Sequence, residues 1–126
     1  MSTSRVAFNQ DGLVSVVVQS RSGRVLMVAW MNEQALDMTI NSGVMTFWSR
    51  SRKEIWVKGV TSGNTQRLLK LELDCDGDAL LATVDESGPA CHNGTESCFD
   101  SQTLFEGEES TLPARFYILP EYFSAW

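Results

Sequence analysis

The chain is 126 residues long, 43% hydrophobic and 21% charged, with a formal net charge of −6. That is enough apolar mass for one domain, residues 1–126, to bury a core unaided, and the acidic balance speaks against general nucleic-acid binding. The longest apolar run, Val25 to Met31, is seven residues, too short for a membrane span or signal sequence, so a soluble, reducing, cytoplasmic setting is expected.

The first eleven residues are polar, although Val6 and Phe8 can pair onto a sheet edge. Leu13 to Gln19 reads as a strand, Ser20 to Gly23 as a hairpin turn and Arg24 to Met31 as the return strand. Asn32 is a candidate N-cap for a helix over Glu33 to Asn41, with Ala35, Leu36 and Ile40 at helical spacing and Gly43 as the stop. Val44 to Ser49 and Ile55 to Val60 follow as strands joined by Arg50-Ser51-Arg52-Lys53. Trp48 and Trp56 fall within them and are expected to pack in the core; an exposed ring could instead stack on an adenine.

Leu69, Leu71 and Leu73 alternate with Lys70, Glu72 and Asp74, the pattern of a strand over Gln66 to Asp76 with one buried face. Extending the alternation places Cys75 on the leucine face and Asp76 on the polar face, with Asp78 rejoining Asp74 and Asp76 across Gly77. Three crowded carboxylates suit a hard cation, Mg²⁺ or Ca²⁺. Ala79 to Val84 then returns antiparallel, and Gly88-Pro89 breaks the chain before Cys91 and Cys98, which are therefore expected on a loop. Cys75, Cys91 and Cys98 are an odd number of thiols, which fits a disulfide framework poorly and zinc well. Three protein ligands are the count of a catalytic rather than a structural zinc. The plainer alternatives are cysteines as small core residues, an acidic turn, and a capping or packing role for His92.

Residues 50–70 carry Arg50, Arg52, Lys53, Lys58, Arg67 and Lys70 against Glu54 alone, a net of +5 in a chain whose remainder is −11. A basic segment beside an acidic metal cluster suits a small anionic ligand such as a phosphate, the alternative being a solvated surface. The Thr61-Ser62-Gly63-Asn64 turn offers hydroxyls, an amide and free N–H groups to such an anion. Beyond Phe99 the tail, 100–126, turns acidic and then aromatic with Phe116, Tyr117, Ile118, Tyr122, Phe123 and Trp126, and is expected to pack on the body or on a partner subunit. The fold class expected is α+β: a mostly antiparallel sheet, one short covering helix and metal-site loops.

The segments Gly12-Leu13-Val14, Val25 to Glu33, Phe47 to Arg52, Trp56 to Gly59, Thr61 to Asn64, Asp74 to Leu81, Gly88 to His92 and Ser97-Cys98-Phe99 closely resemble, in order, those of the phosphoribosyl-AMP cyclohydrolase family. The motif-bearing core runs over 12–99. Two departures are Asn93, where threonine is usual, and Glu86, where glutamine is common.

The resemblance implies a metal-dependent hydrolase of histidine biosynthesis that opens the N1–C6 bond of the purine ring of 1-(5-phosphoribosyl)-AMP through zinc-activated water, giving the formimino carboxamide ribotide. It implies an intertwined homodimer with Zn²⁺ held by Cys75, Cys91 and Cys98, Cys75 coming from the partner chain, and Mg²⁺ held by Asp74, Asp76 and Asp78. A cysteine facing away from the carboxylates agrees with that sharing. Three thiolates make a metal-held water less acidic than three histidines would, so a base is wanted nearby, and His92, beside a ligand, is the candidate proton carrier. Arg50, Arg52, Lys58 and Thr61, Ser62, Gly63 and Asn64 are the expected phosphate contacts. The alternatives are a zinc hydrolase or deaminase of another purine nucleotide, and a non-catalytic zinc-stabilised dimerisation module.

Overall fold

A computed structural model describes residues 5–108 of the chain. In chain order the elements are β1 (Leu13–Ser20), β2 (Val25–Asn32), α1 (Glu33–Ser42), β3 (Thr46–Ser49), β4 (Glu54–Val57), β5 (Gln66–Leu73) and β6 (Ala79–Glu86). The architecture is α+β, mostly sheet with one short helix. The tail residues Phe116, Tyr117, Ile118, Tyr122, Phe123 and Trp126 lie outside the described residues, and Phe105, within them, is exposed.

Alternation along β1 buries Val14, Val16 and Val18 on one face, while Ser15, Val17 and Gln19 stay half-buried on the other. β2 returns antiparallel to it, Val14 opposite Met31 and Val18 opposite Met27, around a turn in which the Ser20 N–H donates to the Arg24 carbonyl at 2.9 Å. β5 and β6 form a second antiparallel hairpin. The two hairpins join through β1 and β6, which run parallel with Val16 opposite Leu80 and Val18 opposite Ala82, giving the order β2-β1-β6-β5. Strand pairing of this kind belongs to apolar central strands, and both flanks contribute: Leu80, Ala82 and Val84 are buried against the β1 valines.

β3 and β4 pair separately in a two-stranded sheet. β4 ends at Val57, earlier than its apolar composition predicts, and Val60 is exposed. α1 closes the core with Ala35, Leu36 and Thr39 buried. The Asn32 side chain accepts the Ala35 N–H at 2.8 Å and Gly43 ends the helix at φ 76°, a cap worth about 1 kcal/mol. Inside, the Thr39 hydroxyl donates to the Ala35 carbonyl at 2.9 Å and accepts the Thr46 N–H at 3.0 Å, so a buried polar group also ties the helix to β3. Phe47, fully buried beneath it, contributes roughly 1.5–3 kcal/mol by removal of its ring from water.

The leucine alternation expected on β5 is broken by a bulge between Leu68 and Lys70. Leu68, Leu71 and Leu73 pack on the core, while Leu69 is exposed. An extra residue in one strand of a ladder turns the side chains beyond it to the other face. Val6 and Phe8 pack against the core without forming a strand, and the Ala7 N–H donates to the Gly77 carbonyl at 2.7 Å. Among the described residues no helix is long and apolar enough to cross a membrane.

Candidate functional site

After β4 the chain turns sharply at Gly59 (φ 83°), where a Cβ would come within 2.6 Å of the Thr65 Cα, so only glycine fits. The Thr61 to Asn64 turn follows, closed by the Gly63 N–H on the Gly59 carbonyl at 2.8 Å. It is locked by the segment that follows β6, the strand paired with β5. The Ser87 hydroxyl donates to the Gly63 carbonyl at 3.0 Å, and Asn64 lies so close to Gly88 that a Cβ there would come within 2.9 Å of the Asn64 side-chain amide carbon. Those contacts hold the turn beside the loop that begins at Gly88. Between them is a cavity of about 350 Å³ lined by Trp56, Lys58, Thr61, Ser62, Asn64, Cys91 and His92.

Cys91 sits at the head of a small hairpin in the loop, its N–H on the Thr95 carbonyl at 3.2 Å and the Ala90 N–H on the Glu96 carbonyl at 3.0 Å. Lys58, buried, donates its ammonium to the Ala90 carbonyl at 2.7 Å. The Asn93 N–H and then the Thr95 hydroxyl hold the Cys91 thiol below the usual thiol range, with smaller help from the Cys98 thiol and the Lys58 charge. Cys98 is exposed as a residue, but the partial burial of its sulfur pushes the thiol up, and a charged Cys91 adds to that shift. The two thiols are therefore neighbours that compete for one negative charge. A soft dication would relieve that competition, so the donor set fits zinc. Asn93 contributes through its backbone N–H, which threonine would supply equally.

The acidic turn lies elsewhere. β5 ends at Leu73 because the Asp74 carboxylate accepts the N–H groups of Asp78 (2.9 Å) and Ala79 (3.2 Å), folding the chain back over Gly77 (φ 79°). Strand alternation therefore stops before it reaches Cys75, and the expected separation of Cys75 from Asp76 onto opposite faces does not occur; the Cys75 sulfur is 3.8 Å from the Asp76 carboxylate on the same exposed turn. The carboxylate oxygens of Asp74, Asp76 and Asp78 all lie within 4.8 Å of one another. The hydrogen bond to Asp74 and repulsion from Asp74 and Asp76 push the Asp78 carboxyl up. Asp74 goes down: what burial it has opposes ionisation, but hydrogen bonds from the Asp78 carboxyl and from the Ala79 and Asp78 N–H groups outweigh it. Crowded oxygens that resist carrying three charges fit a hard dication.

These two groups sit at opposite ends of the four-stranded sheet. The Cys98 N–H bonds the Leu26 carbonyl at 2.7 Å, at the start of β2, and the registers put that end beside Ser20, Val84 and Leu68. The acidic turn is at the other end of β5, about 17 Å away along the strands at about 3.3 Å per residue. Among the described residues the aspartate turn is the only group of three metal-binding side chains in close proximity, so Cys75 does not join Cys91 and Cys98 within one chain.

The remaining expected residues divide. Lys58, Thr61, Ser62, Asn64 and His92 line the thiol cavity, while Gly63 shapes the turn without lining it. Arg52 borders an adjoining cavity of about 600 Å³ that shares Trp56, Val60 and Thr61 with the first. Arg50 lies apart from both, its guanidinium 4.7 Å from the Trp30 ring centre. Trp56, expected in the core, is 40% exposed and walls both cavities, with Phe47 at its back at 5.2 Å. The period-2 pattern of Glu54-Ile55-Trp56-Val57, exposed and half-buried by turns, already sets it on the glutamate face.

A family model described as phosphoribosyl-AMP cyclohydrolase matches residues 27–100. Among named relatives, the phosphoribosyl-AMP cyclohydrolase of Mycobacterium tuberculosis strain H37Rv is 56% identical over 107 residues, covering 84% of this chain and 93% of that one. That of Mycobacterium sp. strain MCS is 55% identical over 106 residues (83% and 92%), and that of Thermobifida fusca strain YX 53% over 102 (80% and 88%).

Proposed function

Since the chain belongs to the phosphoribosyl-AMP cyclohydrolase family, we propose that it catalyses that reaction in histidine biosynthesis, adding water across the N1–C6 bond of the purine ring of phosphoribosyl-AMP. The observation that carries this reading to a place in the molecule is the cavity in which Cys91 and His92 face an exposed indole, Trp56, and the hydroxyl-rich turn Thr61 to Asn64. It offers a flat apolar wall for a purine, donors for phosphate oxygens, and a titratable group beside a thiol.

In this reading Zn²⁺ is held by Cys91 and Cys98 with Cys75 of the partner subunit, and Mg²⁺ by Asp74, Asp76 and Asp78. Bound zinc supplies the Lewis acidity that brings the deprotonation of water into the neutral range. The separation of Cys75 from the thiol pair along the length of β5 supports a site completed across a homodimer. Since Cys75 and the aspartates share one turn, a partner that delivers the thiol also delivers the carboxylates, bringing hard and soft metal sites to one substrate.

The chain's own residues then divide the work. Trp56 stacks on the ring, and Thr61, Ser62 and Asn64 take a phosphate, with Arg52 on the adjoining cavity and Arg50 beyond it available to the second. Lys58 spends one donor on the Ala90 carbonyl and adds positive charge beside Cys91. His92 removes a proton from the attacking water and returns it to N1 as the N1–C6 bond breaks. C6 keeps the incoming oxygen and its exocyclic nitrogen as the carboxamide, and N1 leaves as the formamidine nitrogen. Reduced thiols at such a site belong to a cytoplasmic setting.

The test is incubation of the purified protein with phosphoribosyl-AMP, following the absorbance of the opened product and assaying free ammonia. Ring opening without ammonia is expected. Ammonia release would identify a deaminase, and bound zinc with no turnover a dimerisation module.

A further inference from the structure

Cys98 is exposed, and the residue before it is not: Ser97 has no accessible surface. A serine carries too little apolar surface to gain by such burial, so its polar contacts account for the position. Its hydroxyl donates to the Val25 carbonyl at 2.6 Å and accepts the Phe99 N–H at 3.0 Å. On either side the Cys98 N–H bonds the Leu26 carbonyl at 2.7 Å, and the Ser97 N–H bonds the Asp100 carboxylate at 3.0 Å. Asp100 is in turn held by the Arg24 guanidinium at 2.5 Å. Residues 97 to 100 are thus stitched, contact by contact, to residues 24 to 26, where β2 begins at the edge of the sheet.

Cys91 is anchored to different structure, the 90–96 hairpin and Lys58. The spacing between the two sulfurs is consequently set by two independent attachments rather than by the six residues between them. We infer that Ser97 is a positioning residue that fixes the Cys98 thiolate against Cys91, and that the Arg24–Asp100 pair is the latch that keeps Ser97 docked. The inference rests on the reading that Cys91 and Cys98 hold zinc. A thiolate left on a loose loop must be ordered when the metal binds, which weakens binding; one held beforehand is not.

The experiment is a Zn²⁺ affinity measurement on the full chain by competition with a chromophoric chelator, together with the thiolate-to-metal absorption of the Co²⁺-loaded protein. Ser97→Ala is expected to bind Zn²⁺ about 10- to 100-fold more weakly, the usual effect of removing a group that orients a ligand, and to change the Co²⁺ spectrum. Arg24→Ala and Asp100→Ala, both at exposed positions, should show a smaller loss of the same sign, and the double variant no more than the worse single, since they form one contact. Wild-type Zn²⁺ affinity in a folded Ser97→Ala, with only its melting midpoint lowered, would overturn the inference and leave Ser97 a purely structural residue. Should Ser97→Ala fail to fold, the latch variants decide by the same criterion, unchanged affinity in both overturning it. A wild-type chain that binds no Zn²⁺ removes the zinc reading itself, and the inference with it.

Discussion

The thiol end and the carboxylate end of the sheet are built by opposite means. The aspartate turn is local: its hydrogen bonds run among Asp74, Gly77, Asp78 and Ala79, with one outside contact from Ala7. The thiol cavity takes residues from β4, the Thr61 to Asn64 turn and the loop that begins at Gly88, and needs glycine at 59 and 88 so that the pieces can touch. Their electrostatics differ in the same sense. At the turn like charges repel and only a cation can settle them, whereas at the cavity N–H and hydroxyl donors already favour charge on Cys91. A chain can carry a hard-metal site in five consecutive residues, but a reactive soft site with its substrate wall has to be assembled.

The largest effects test whether the two ends meet across a dimer. Cys75→Ser and Cys91→Ser homodimers should each be inactive, because every shared zinc site then lacks a ligand. Co-expressed, they should regain about a quarter of wild-type activity: half of randomly mixed dimers are mixed, and each mixed dimer has one intact site of two. Mixed dimers that are shown to form yet have no activity would break the shared-site reading and leave Cys75 with the acidic turn alone.

Within the thiol cavity, His92→Ala should lower kcat by about 10²- to 10⁴-fold, the usual contribution of a general acid or base, while zinc content and fold persist. A rate near wild type would assign proton transfer to another group.

Trp56→Leu keeps an apolar contact with Phe47 and removes the indole face. The expected cost is about 1–3 kcal/mol in kcat/KM, the range for base stacking on an aromatic ring. An unchanged kcat/KM would show that the purine does not lie against this wall.

The smallest change concerns the acidic turn by itself. Asp76→Asn should weaken the response of activity to Mg²⁺ and spare bound zinc, because carboxylates hold the hard ion and thiolates the soft one. The reason is donor chemistry rather than opposite strand faces, since Cys75 shares the turn. With Mg²⁺ removed, the variant should melt slightly higher than the wild type, as one of three repelling charges is gone. The sign follows from Asp78, whose raised carboxyl pKa means that its ionised form is disfavoured in the folded protein; stability is greater below that pKa and falls as pH rises through it. A lower melting midpoint in metal-free Asp76→Asn would mean that the carboxylates attract structure rather than repel one another.

Much of this molecule is legible from neighbouring residues. The β1–β2 hairpin, the Asn32 and Gly43 caps of α1, the Gly88-Pro89 break before Cys91 and the crowding of Asp74, Asp76 and Asp78 each depend on a few adjacent side chains and their backbone preferences, and each is present. The order of segments shared with the cyclohydrolase family is likewise a property of the sequence. Tertiary structure alone decided the parallel pairing of β1 with β6, the bulge that turns Leu69 outward, and the end of β5 at Leu73 that puts Cys75 among the aspartates. It also decided that Ser97, ordinary in sequence, is buried beneath Cys98, and that the thiol pair and Cys75 lie a strand's length apart. Such features follow from how distant segments share buried area and hydrogen bonds, and local spacing does not encode which carbonyl at the start of β2 will meet a serine more than seventy residues later.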